Sequence, residues 1–143
     1  MYTFITTPGI EKIITGQIYP GVRTKIDTEL ALHRHLLGGI ESGEKTTTVR
    51  YGRDRIRVPA GPELPLFLTS PSPWLTADKE PHGTIRIPRF TVKRFGELTD
   101  NDARRDGYAT LAELKDAIRR IYEPLYNAPV LDDEWVSIYE LKL

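Results

Sequence analysis

Gly43-Glu44-Lys45-Thr46-Thr47-Thr48-Val49-Arg50 puts an amine, three hydroxyls and a guanidinium at a point where one kind of secondary structure gives way to another. Upstream, Asp27 is a candidate N-cap, Leu30, Leu32, Leu36, Leu37 and Ile40 supply apolar positions, and Gly43 is a stop signal, so a helix is predicted over 27–43. Downstream, the β-branched run of 46–51 predicts a strand. A phosphate-binding P-loop requires the opposite order, with Gly-x-x-x-x-Gly-Lys-Ser/Thr running from a strand into a helix whose first amides face the phosphates. Nucleotide hydrolysis of that type is therefore excluded. On residue types alone Thr46, Thr47 and Thr48 are good strand formers and Lys45 a solvated turn residue. Positions 45 and 48 would face opposite ways in a regular strand. The Lys45 amine is thus expected in the turn, close to the Thr48 hydroxyl only if the junction bends or bulges.

Working outward, strands are predicted at 1–7, 55–58, 64–69 and 84–95, and a last one at 135–141. Ser70-Pro71-Ser72-Pro73-Trp74 reads as a stiff loop whose indole either stacks on a base or pins the loop to the body. Thr99 caps a short helix stopping at Gly107, and Thr110 with Glu113 opens a longer one that Pro124 follows. The closing strand, rich in large apolar side chains, is expected inside its sheet, because at an edge it would be sticky. This order predicts an α+β domain around a small curved sheet or barrel.

With 143 residues, 39% hydrophobic and 28% charged, the chain is expected to form one domain spanning 1–143. It contains no cysteine, so disulfides, thiolate nucleophiles and Cys-type zinc sites are excluded. With neither a secretory leader pattern nor an apolar run long enough to span a bilayer, a cytoplasmic protein without a membrane partner is expected. The net charge is zero, yet residues 1–44, 45–95 and 96–143 carry −1, +6 and −5. The basic middle holds Lys45, Arg50, Arg53, Arg55, Arg57, Arg86, Arg89, Lys93 and Arg94 with Tyr51, Phe90 and Phe95 interleaved. That composition suits either a surface for phosphates and stacked bases or the solvated face of a sheet. His33 and His35, two apart on the predicted helix, fall on different faces, and no metal site or cofactor is expected.

The opening stretch and a distal segment, Phe95 to Leu114, together resemble the ASCH family of PUA-like proteins. The family's Gly-x-Lys-x-x-Thr-x-Arg is matched by Gly43, Lys45, Thr48 and Arg50, and its second motif by Leu98, Thr99, Ala103, Gly107, Leu111, Leu114 and Tyr122. The resemblance covers roughly residues 27–143, leaving 1–26 as an N-terminal elaboration. It implies a small PUA-like β-barrel of about five to six strands flanked by two or three helices, with a cleft for RNA or a modified nucleoside. In that cleft Lys45, Thr48, Arg50, Tyr51, Trp74, Arg89 and Lys93 are the binding candidates. Some members resemble amidohydrolases that deacetylate 4-N-acetylcytidine through a lysine, a threonine and a glutamate, which map onto Lys45, Thr48 and Asp106. The aspartate is one methylene shorter, a retreat of about 1 Å, an error that can cost ~100-fold unless the backbone compensates. Binding module, amidohydrolase and ribonuclease remain open at this point, as does a protein-interaction role for the acidic C-terminal third.

Overall fold

Leu30-Ala31-Leu32-His33 alternates large and small side chains, and the chain uses that period of two: Leu30 and Leu32 are buried while Ala31 and His33 are half-buried. These residues therefore form a strand and not the predicted helix. Asp27, the expected N-cap, instead ends the preceding strand with its carboxylate paired to Arg57 at 2.6 Å. Only the last part of the expected helix is helical.

The structure, a computed structural model, describes residues 3–6, 23–70 and 78–143. In chain order the elements are β1 (Thr3–Thr6), β2 (Arg23–Asp27), β3 (Leu30–His33), α1 (Leu37–Ser42), β4 (Thr47–Arg53), β5 (Arg55–Pro59), β6 (Glu63–Thr69), β7 (Glu80–Arg86), β8 (Arg89–Arg94), α2 (Asp100–Arg105), α3 (Leu111–Tyr126) and β9 (Trp135–Glu140). Single 3-10 turns cover Arg34–Leu36 and Phe95–Glu97. The segment expected as one strand over 84–95 is two, β7 and β8, separated at Ile87 and Pro88.

The largest sheet runs β1-β8-β9-β4, antiparallel throughout. β2 pairs β5 in parallel, and β3 pairs β6 in parallel with β7 antiparallel on the other side. These strands outnumber the five or six expected, and among the described residues the three sheets do not close into a barrel, β1 and β4 being the outer strands of the large sheet. The mixed α+β class and the flanking helices agree with expectation. Among the described residues, no helix is long and apolar enough to cross a membrane.

β9 explains the packing. Trp135 and Tyr139 join Ile56, Val58, Leu66 and Ile85 in a core between the sheets, whereas Val136 and Ile138 join Phe95, Leu114, Ile118 and Tyr122 beneath the helices. A strand buried on both faces reads as a near-continuous apolar run, which is how 135–139 is written. Thr99 accepts from the Asp102 amide and Thr110 from the Glu113 amide, so both predicted helix starts are the observed ones. Pro124 lies inside α3 rather than after it. The final turn continues because Tyr126 stacks on Tyr122 and meets Tyr51 edge-on.

Candidate functional site

Two helix ends and one strand start build the site. α1 stops at Gly43, whose φ of 85° is open to glycine and strained for other residues, and the turn is closed by the Lys45 amide donating to the Gly39 carbonyl at 3.0 Å. α2 stops at Asp106 and Gly107, the latter with φ 91°. The Thr46 amide donates to the Arg105 carbonyl at 2.8 Å, which ties the start of β4 to the end of α2. The Lys45 stem is thereby held between Gly39 and Gly107, where a Cβ would lie 3.5 and 3.6 Å from its own. Lys45 and Asp106, sixty-one positions apart, become neighbours.

Their contact is buried, with 6% and 7% of the two side chains exposed. Lys45 Nζ donates to the Asp106 carboxylate, to the Thr47 carbonyl at 2.8 Å and to the Asp106 carbonyl at 3.3 Å. Burial pushes the Lys45 amine below its ordinary pKa and the Asp106 carboxyl above its own, the attraction between the two offsetting part of each shift. Both groups move toward their neutral forms. The ladder between β4 and β9 is regular from Thr47 to Tyr51, and its irregularity falls between Tyr51 and Arg53. Lys45 therefore reaches the site from the turn, where the junction bends at 43 and 44 and the strand carries no bulge there.

A cavity of about 310 Å³ opens beside this pair. Thr48 and Arg50, two apart on one face of β4, contribute to its wall with Lys45 and Asp106, and Leu114, Ile118 and Ile121 of α3 give it an apolar side. The Thr48 side chain is 6% exposed, and its hydroxyl makes no hydrogen bond among the described residues. One Arg50 terminal nitrogen donates to the Ala31 carbonyl at 2.9 Å, and Arg50 Nε is buried with no partner among the described residues. His33, His35, Thr69, Lys79 and Tyr108 add to the polar lining. Burial, the His35 ring and the Arg50 guanidinium lower the pKa of His33, while burial and then Asp106 raise that of Tyr108.

The structure thus brings together Lys45, Thr48, Arg50 and Asp106 of the sequence candidates. It takes others elsewhere. Tyr51 lies beneath α3, its hydroxyl donating to Glu134. Lys93 is buried in an ion pair with Asp102 at 2.7 Å, and Arg89 faces Glu140 at 3.5 Å on the large sheet. Neither Lys93 nor Arg89 lines the cavity. Trp74 lies outside the described residues. Much of the basic excess in 45–95 is met by acids of the C-terminal third, through Lys45 with Asp106, Arg53 with Glu134, Arg89 with Glu140 and Lys93 with Asp102.

His33 and His35 were missed because their stretch read as a helix. His33 in fact ends β3, and His35 sits in the following 3-10 turn, so the rings approach to 5.6 Å and both face the cavity. The alternation of residues 30–33 was the signal for it. Among the described residues no group of three or more His, Cys, Asp or Glu side chains could hold a metal ion.

No family model matches the sequence, and a search of curated proteins gives no match. Solved structures do resemble it. A DUF984-family protein from Enterococcus faecalis V583 superposes with a TM-score of 0.57 at 15% identity, over 94% of this chain and 82% of that one. An ASCH domain from Lactobacillus crispatus JV V101 superposes with a TM-score of 0.57 at 16% identity, over 84% of this chain and 79% of that one. The chain has an ASCH-type fold, as the two sequence motifs implied.

Proposed function

We propose that this ASCH-type fold holds one modified pyrimidine nucleoside in the cavity beside Lys45, Thr48 and Asp106. The observation that carries the reading is the buried contact between Lys45 and Asp106 on the wall of a 310 Å³ cavity. That volume is at the small end of ligand sites and suits a single nucleoside better than a run of stacked bases. Thr48, with an uncommitted hydroxyl, offers both a donor and an acceptor to a base edge. A long RNA strand is favoured less, because Lys93 is engaged with Asp102, Arg89 faces Glu140, and neither lines the cavity.

A second reading is amide hydrolysis at the same place, favoured by the opposite pKa shifts of the pair. An amine beside a carboxylic acid is the state acyl transfer needs. The Thr48 hydroxyl would pass its proton to the Lys45 amine as its oxygen bonds to the acetyl carbon of 4-N-acetylcytidine. As the carbon–nitrogen bond breaks, Asp106 would protonate the departing cytidine amine, and water would then release acetate from the acyl-threonine.

Calorimetric titration of the full chain with cytidine, uridine and 4-N-acetylcytidine, with chromatography of each mixture, tests both readings. Binding should weaken at least tenfold in Thr48→Val, and in Lys45→Met, chosen to keep the packing of the stem. Cytidine and acetate should accumulate only with the native residues. Folded protein that binds none of the three removes the nucleoside reading, and binding without product removes the hydrolytic one.

A further inference from the structure

The cavity is far more positive than the molecule. Lys45, Arg50 and Lys79 face it against a single carboxylate, Asp106, a formal charge of +2 with the histidines neutral in a chain whose total is zero. Asp106 is committed to Lys45, and Lys79 is answered from outside the cavity by Glu29 at 2.7 Å. Arg50 has no ion-pair partner among the described residues, only the Ala31 carbonyl on one of its nitrogens. A half-buried guanidinium without a carboxylate is costly unless something else supplies the negative charge.

The neighbours of Arg50 indicate what that is. Arg50 follows Thr48 by two strand residues, roughly 7 Å along β4, and lies close enough to His33 to depress its pKa. His33 arrives from the end of β3 and His35 from the turn after it. Three nitrogen-bearing side chains from two separate stretches of chain therefore line the cavity that the Lys45–Asp106 pair also lines, with Arg50 close enough to that pair to act on both its members. A carboxylate offers two oxygens to such a set. A phosphate monoester offers three and carries a charge near −2 at neutral pH, and an imidazole beside it can take up a proton and become a second donor.

We propose that Arg50, His33 and His35 form a phosphate subsite, so that the natural occupant is a nucleotide and not a free nucleoside. The proposal builds on the nucleoside reading, with the base at the Lys45–Thr48 end and the phosphate at the Arg50–His33 end. The pocket then reads two features of one molecule from opposite ends of a short stretch of β4.

The test is titration of the full chain with cytidine, cytidine 5′-monophosphate, inorganic phosphate and acetate, repeated on His33→Gln and Arg50→Lys. The monophosphate should bind at least tenfold more tightly than cytidine. His33→Gln should remove most of that advantage while leaving the affinity for cytidine within twofold, and Arg50→Lys should weaken the monophosphate further. Equal affinities for cytidine and its monophosphate overturn the phosphate subsite and leave the nucleoside reading standing. Phosphate binding that weakens in His33→Gln, with no binding of cytidine, supports the subsite and removes the nucleoside reading. Phosphate or monophosphate binding that neither substitution changes lies elsewhere on the molecule and overturns the proposal, as does acetate binding as tightly as phosphate, or no binding of any probe by folded protein.

Discussion

Lys45 and Asp106 are the residues on which the site depends, and their burial makes them testable without a ligand. Asp106→Asn replaces the oxygen to which the buried Lys45 amine donates by an amide, which should cost about 1–3 kcal/mol in chemical denaturation. The cost should depend on pH in a defined direction. The folded-state pKa of Asp106 is raised above 3.8, so between that raised value and 3.8 the native state binds more protons than the unfolded chain. Stability from this group therefore grows as pH falls through the window, and the asparagine variant lacks the effect. The stability difference between native protein and Asp106→Asn should widen on acidification from the raised pKa toward 3.8. A gap that narrows there would mean that Asp106 is held ionised by Lys45 instead. Both side chains were legible as candidates from their motifs, but not their burial: a lysine in a Gly-Glu-Lys turn reads as solvated, and only the arrival of the α2 terminus closes it off.

At the scale of elements, local chemistry and long-range pairing can be separated. Caps are local events, and Thr99, Thr110 and Gly43 mark the observed boundaries because each needs only its own neighbours. Thr110→Ala should cost about 1 kcal/mol, measured as a shift in thermal midpoint. Residues 27–40 behave differently. Leu30, Leu32, Leu36 and Leu37 fit a helical stripe, yet 30–33 falls to strand because β6 provides a parallel neighbour, with Leu30 opposite Leu66 and Leu32 opposite Leu68. The turn from β4 into β5 gives a sharper test. A Cβ on Gly52 would stand 2.0 Å from the Arg55 carbonyl oxygen, a backbone atom that cannot move aside without opening the tight turn. Gly52→Ala should destabilise on the order of 3 kcal/mol and raise amide exchange along β4 and β5. Unchanged exchange there would show that the turn relaxes more easily than its geometry allows.

For the whole molecule, β9 is the element that joins the others. It lies between β8 and β4 in the large sheet, with one face in the core between the sheets and the other beneath the helices. Deleting residues 135–143 would unpair both neighbours and open both cores at once, so the shortened chain should lose its near-ultraviolet circular dichroism and its cooperative unfolding. A cooperative transition in that chain would mean that the helices and the remaining sheets are stable apart. The same long-range closure cancels the charge blocks, since acids at 102, 106, 134 and 140 answer bases at 45, 53, 89 and 93. Arg50, with no ion-pair partner among the described residues, lines the cavity.

The sequence by itself determined the α+β class, most strand positions, the helix starts at Thr99 and Thr110, and the two motifs whose likeness the solved structures bear out at the level of fold. Those properties depend on residues a few positions apart, where periodicity, capping and turn preference are strong enough to decide. Tertiary structure alone decided that the sheets stay open, that 30–33 is a strand, that Lys93 and Tyr51 are committed inside the protein, and that His33 and His35 face the cavity of Lys45 and Asp106. Each of those outcomes follows from which distant partner reaches a residue first, and burial against that partner outweighs what the neighbouring sequence prefers.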